Sequence, residues 1–211
     1  MTSIACLSSA YLAPVSYYCK LYAYDKILLE QHEHYIKQTY RNRCVITSSG
    51  GPLQLSVPIE RDDSSHTKIS DIQISNHGNW RHLHWQALIS AYENSAYFEY
   101  YADYFKPFYE ESYKYLFDFN LKLQELVCSL IGIETNVILT DNYLKDIEGI
   151  DDFRAVIRPK NTLSDATFVP QPYYQVFAKR NGFLPDASIV DLLFNKGPES
   201  LLVIRDSIKS V

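Results

Sequence analysis

The chain has 211 residues, 46% of them hydrophobic and 21% charged, and a formal net charge of -5. Such a composition belongs to a folded globular protein, and the length suits one domain spanning residues 1–211 that buries its core without disulfides or a structural metal. The acidic balance argues against a nucleic-acid partner, so an anionic ligand has to be met by local arginines. Cys6, Cys19, Cys44 and Cys128 show neither CxxC spacing nor the density of a secreted disulfide framework, and read as buried reduced thiols.

Taken in chain order, Ile4 to Leu7 is a short apolar strand. Pro14 suits the first turn of a helix in which Val15, Tyr18, Leu21 and Tyr22 recur at helical spacing. Asp25 ends that helix, and residues 26–30 read as a buried strand. Strand, helix, strand is a βαβ unit, whose two strands are normally parallel, and this sets the expected class as α/β. Residues 40–47 and 53–57, joined by Ser48-Ser49-Gly50-Gly51-Pro52, read as a hairpin. An exposed polar loop is expected at 62–65 and a short strand at 69–74. Asn79 is placed as the cap of a helix from Trp80 to about Tyr92. A further helix from Leu116 to about Leu130 stops at Gly132, the position for a left-handed cap. Val137 to Thr140 reads as a strand, residues 146–185 as irregular with a strand near Arg154 to Ile157, and Ser188 as the cap of a helix to Asn195. A last helix follows from Glu199. No internal repeat or domain boundary is evident.

Three segments offer chemistry. In Arg41-Asn42-Arg43, an extended backbone would set both arginines on one face, where guanidiniums side by side call for an anion or a carboxylate between them. The alternative is a structural pair with a carboxylate. Glu30, His32 and His34 would likewise share one face of a strand. They offer an acid/base or substrate-contacting histidine, and less readily a metal site, since no third histidine accompanies them at helical zinc-motif spacing. In the Trp80 to Trp85 segment, His82 and His84 point about 200° apart on a helix and cannot share a metal. Arg81 instead heads an apolar face with Trp85 and Tyr92, where it either meets an anion at the helix start or stacks on Trp85. The 18 tyrosines line a pocket for sugars or nucleotides or simply pack the core.

Absences narrow the chemistry. With seven glycines there is no P-loop, no GxGxxG and no GxSxG, and there is no Asp-x-Asp metal–nucleotide clamp. No motif names a cofactor or a metal. The first residues lack the pattern of a signal peptide, and no run approaches the roughly 20 apolar residues that span a bilayer, so a cytoplasmic location without membrane insertion is expected.

The stretches AYLAPVSYYCKL, ILLEQHEHYIKQTYRNRC, LQLSVPI, NWRHLHWQALISAYENSAYFEYY and SIVDLLFNKGPES, in that order, resemble the WbqC-like family. Ser8-Ser9-Ala10-Tyr11 stands where many members carry a Gln-Pro-Tyr-type loop, and the interval from Asn142 to Ser188 is shorter than in longer members. The resemblance implies an association with O-antigen or related surface-glycan assembly, with glycine (aminoacyl) transfer to a sugar. On that expectation Arg41, Arg43 and Arg81 hold a phosphate or carboxylate, as on a nucleotide-sugar, and His32 or His34 deprotonates an attacking amine. Tyr11, Tyr17 and Tyr35 supply walls and hydroxyls. The competing expectations are a non-catalytic nucleotide-sugar or anion-binding module and a structural interaction protein.

Overall fold

A computed structural model describes residues 2–60, 66–145, 148–159 and 165–209. Its centre is β1 (Ile4–Ser8), whose Ala5, Cys6 and Leu7 are all buried. A run apolar on both faces is what an inner strand of a parallel sheet requires. β1 leads through α1 (Val15–Ala23) to β2 (Lys26–Glu30), and the two strands pair in parallel from Ile4↔Lys26 to Ser8↔Glu30. The βαβ unit is therefore present as expected. β5 (Val137–Leu139) pairs in parallel with β2, and β6 (Asp151–Asp152) in parallel with the other side of β1. The resulting order is β5-β2-β1-β6. The chain moves outward from β1 to β2 to β5, then returns to the far side of β1. Such a reversal leaves a crevice at the carboxyl ends of the strands, the usual ligand position in open α/β sheets.

A separate hairpin, β3 (Arg43–Ser48) and β4 (Gly51–Ser56), closes on a Ser48↔Gly51 pair. Gly51 takes a φ of 106° there, which a side chain would resist. Helices α2 (Trp80–Tyr92), α3 (Phe98–Glu110) and α4 (Leu116–Ile131) follow, with α5 (Ala178–Asn181), α6 (Ile189–Lys196) and α7 (Ser200–Asp206) later in the chain. α4 ends as expected, with Gly132 at a φ of 80° and its amide on the Cys128 carbonyl. α1 packs on α6 and α7, so nearly all its residues are buried. One continuous apolar cluster joins the sheet, the hairpin and the helices, and its largest members are aromatic, Tyr11, Tyr18, Tyr92, Phe105, Phe119 and Phe194 among them. Much of the unusual aromatic content is buried in this core or packs against it.

Four expectations need correction. Residues 69–74 form a 3-10 turn at Ile69–Asp71 rather than a strand, because the Ile72 amide closes back on the Ile69 carbonyl and turns both side chains inward. Asn79 precedes α2 in the left-handed region (φ 49°) and makes no capping bond through its side chain. The Ser188 hydroxyl does not cap α6 either; it donates to the Leu12 carbonyl and so ties α6 to the turn before α1. The strand expected at Arg154 to Ile157 lies earlier, at Asp151–Asp152, because the amides of Val156 and Ile157 close a turn on the Phe153 carbonyl. α3 has no counterpart in the sequence reading. The loop at 62–65 lies outside the described residues.

Candidate functional site

At the carboxyl edge of the sheet, β2 delivers Glu30 into the interior, where the side chain has no exposure. A buried carboxylate needs donors, and four groups supply them. These are the His32 amide (2.8 Å), the Thr140 hydroxyl (3.0 Å), the Leu144 amide (3.0 Å) and Arg154 Nη1 (3.2 Å). Glu30 thus fastens three separate segments to the end of β2: its own loop, the strap that follows β5, and the turn that follows β6.

Arg154 is the second organiser. Its Nε and Nη2 fork onto the two oxygens of Asp152, each at 2.9 Å, Nη2 also donates to the Leu144 carbonyl, and the guanidinium lies 5.2 Å from the centre of the Tyr143 ring. Burial works to raise the Asp152 carboxyl pKa, but the bonds and charge of Arg154, aided by Arg158, outweigh it, and Asp152 lies below the usual carboxylate value. The same fork raises the Arg154 guanidinium further. Across the cleft Arg41 is buried and grips Glu33 through both Nε and Nη2, while Nη2 also reaches the Ser8 hydroxyl at 2.8 Å.

Between these walls lies a cleft of about 860 Å³, lined by His32, Glu33, His34, Arg41, Tyr143, Asp152 and Arg154, with Lys68, Asp141, Lys145 and Arg158 among the residues around it. The His32 Nε2 lies 2.9 Å from the Thr140 carbonyl. A carbonyl only accepts, so this nitrogen carries the hydrogen and the neutral ring keeps its lone pair on Nδ1. No hydrogen bond engages Nδ1 among the described residues. The His34 ring sits against His66, with 5.1 Å between centroids. Beneath the cleft the Cys6 thiol is pushed by burial up to about 12, which leaves it unreactive.

Of the residues singled out in the sequence, Glu30, His32, His34 and Arg41 meet here, Glu30 as the floor. The others lie elsewhere. Arg41 precedes β3, so it and Arg43 do not share a strand face, and Arg43 donates to Gln54 on the hairpin. Arg81 donates to Asn76 and lies over Trp80, not Trp85. Trp85 packs against Phe98 and Tyr109. Asn42 serves the Val57 carbonyl. Tyr11 is core, its hydroxyl bonded to Tyr109 and His84, whose ring burial lowers to about 4 and keeps neutral. The Tyr17 hydroxyl lies beneath the cleft, 3.1 Å from the Ser8 carbonyl and 2.9 Å from the Gln124 side chain. Tyr35 is half-buried and does not line the cleft. Asp152, Arg154, Arg158, Lys68, Lys145 and Tyr143 were missed. Local spacing gives no sign that they converge; the one clue is an arginine two residues beyond a pair of acids, Asp151-Asp152.

A parallel sheet flanked by packed helices, with a cleft at its carboxyl edge, makes this an α/β protein. The sequence model of the WbqC-like protein family matches residues 9–203, and the chain belongs to that family. It is 27% identical to the uncharacterized protein Rv1507c of Mycobacterium tuberculosis (strain ATCC 25618 / H37Rv), over 95% of this chain and 96% of that protein. No solved structure matches it significantly. No helix among the described residues is long and apolar enough to cross a membrane.

Proposed function

We propose that the cleft binds a phosphate- or carboxylate-bearing small molecule and transfers an acyl or aminoacyl group to the amine of a sugar or nucleotide-sugar, a step in the assembly of a bacterial surface polysaccharide. The observation that carries the reading is His32, fixed by the Thr140 carbonyl so that Nδ1 is its base, in the same cleft as Arg41 and Arg154. In the transfer, the sugar amine forms a new bond to the acyl carbon of an activated donor. The bond to the donor's leaving group breaks, the leaving group departs with the electron pair, and the amine proton passes to His32 Nδ1. The nearby cations stabilise charge that develops on the departing group.

The test is to incubate the protein with activated acyl or aminoacyl donors and amino-sugar nucleotides, reading the product by its mass. His32→Ala should lower turnover by about a hundredfold or more with ligand binding retained. Turnover undiminished in both His32→Ala and His34→Ala would sink the mechanism. A second reading, a binding module without catalysis, is favoured by the commitment of Arg41 and Arg154 to internal carboxylates. It predicts tight binding and no product from any donor–acceptor pair.

A further inference from the structure

The five cations around the cleft are not alike. Arg41 is spent on Glu33, and Arg154 on Asp152 and Glu30. Lys68, Lys145 and Arg158 form no ion pair among the described residues; Arg158 only reaches the Arg154 carbonyl through Nε, at 3.4 Å. The carboxylate left unpaired among the described lining residues is Asp141. Three unpaired cations, set against Asp141 and against the second carboxylate that Arg154 serves, leave a local surplus of one positive charge in a chain whose net charge is -5.

From these observations we infer that the ligand is a nucleoside diphosphate, carried as the handle of the transferred or accepting group. The inference rests on the proposed anion-binding cleft and narrows its ligand. In sheets of this order a diphosphate usually sits on backbone amides of a glycine-rich turn after the first strand. Here that turn is Ser8-Ser9-Ala10-Tyr11, without a glycine, and Tyr11 is buried in the core. A diphosphate in this cleft therefore has to be neutralised by side chains, and Lys68, Lys145 and Arg158 are the ones available. Tyr143 supplies the second half of the site. The residue is 48% exposed although Arg154 lies against its ring. Such a ring is a stacking surface for a nucleobase. Asp141 supplies the third, since a lone carboxylate at a strand's carboxyl end accepts hydrogen bonds from a ribose diol. The volume of about 860 Å³ is within the range of pockets that hold ligands of this size.

The experiment is titration calorimetry of the intact chain with inorganic pyrophosphate and with the 5′-diphosphates of adenosine, guanosine, uridine and cytidine, each against wild type, Tyr143→Ala and Lys145→Ala. At least one nucleoside diphosphate should bind ten times more tightly than pyrophosphate. Tyr143→Ala should abolish that advantage without weakening pyrophosphate, whereas Lys145→Ala should weaken both about tenfold. Both side chains are exposed, and an unchanged melting midpoint verifies that each variant folds. Pyrophosphate binding as tightly as every nucleoside diphosphate overturns the inference. So does failure of all four nucleoside diphosphates to bind. In either case the transferase reading is judged separately, by the His32→Ala turnover assay with donors and acceptors that carry no nucleotide.

Discussion

Among the described residues two carboxylates are wholly buried, and they are held in opposite ways. Glu30, at the floor of the cleft, has a guanidinium among its donors. Asp191, in the first turn of α6, accepts only from neutral groups: the Thr47 and Tyr92 hydroxyls on one oxygen, the Tyr173 hydroxyl and the Gln175 amide on the other. The Asp191 centre joins β3, α2, α6 and the 173–175 segment, with the start of the helix adding its favourable dipole. It is a stitch in the core. The Glu30 centre is a scaffold that ends in an open cleft, where charge is placed for something to meet. The same functional group thus serves cohesion in one place and positioning in the other, and the presence of a cation marks the difference.

The largest expected effect comes from breaking the core stitch. Asp191→Ala leaves the Thr47, Tyr92 and Tyr173 hydroxyls without their acceptor, while the Gln175 amide keeps the Leu184 carbonyl, and each orphan costs about 1–3 kcal/mol. We expect at least about 3 kcal/mol of lost stability in a chemical denaturation curve. The two regions should also respond to pH with opposite signs. Burial raises the Asp191 pKa against the pull of its four donors. Its contribution is then complete below the ordinary carboxylate pKa and declines as pH rises through the folded value. Asp152, at the cleft, is depressed by Arg154, so its contribution is complete above the ordinary carboxylate pKa and is lost as pH falls through the folded value. Denaturation of Asp191→Asn and Asp152→Asn across acidic pH, each subtracted from wild type, should give slopes of opposite sign. Slopes of the same sign would break the comparison.

A smaller effect follows from removing the cation of the cleft scaffold. Arg154→Ala strands Glu30, but three neutral donors remain on that carboxylate and the cleft admits water. About 2 kcal/mol is expected, below the cost at Asp191. Arg154→Lys should recover little, since an ammonium cannot fork onto Asp152 while also serving Glu30 and the Leu144 carbonyl. A loss at Arg154 larger than at Asp191 would mean that the cleft scaffold is the more cohesive of the two centres.

What the sequence disclosed follows the range of each interaction. The βαβ unit, the hairpin and the end of α4 rest on neighbours in the chain, such as Pro14, Gly51 and Gly132, and these were legible. Glu30, His32 and Arg41 fall close together in the sequence, and the fold brings them to one cleft. Arg43 and Arg81 were offered on the same local logic, which needs a regular strand or helix face, and the turn at Arg41 and the packing of Trp85 removed it. Arg154 could not be found that way. It reaches Glu30 across 124 positions, and its role exists only once β6 returns to the far side of β1. The tyrosines were ambiguous because a buried hydroxyl and a ligand-binding hydroxyl look alike until partners are known, and Tyr11 and Tyr17 proved to have theirs inside the protein.

The smallest stability effect carries the sharpest test of the comparison. Lys68 and Lys145 stand at the cleft, exposed and outside any ion pair among the described residues. A cation that neither fills space nor satisfies a buried partner contributes little to folding, and its replacement usually changes stability by less than about 0.5 kcal/mol. Lys68→Ala and Lys145→Ala should therefore unfold with wild-type midpoints in the absence of ligand. With a phosphate-bearing ligand in excess, wild type should gain stability by mass action, roughly 2.7 kcal/mol at a hundred times the dissociation constant, and the lysine variants should gain less. If the variants lost stability without ligand, the lysines would belong to the scaffold like Arg154. A gain equal to that of wild type would instead remove these lysines from the ligand's path. A wild-type midpoint combined with a reduced gain separates positioning from cohesion, because only a residue reserved for a ligand gives both.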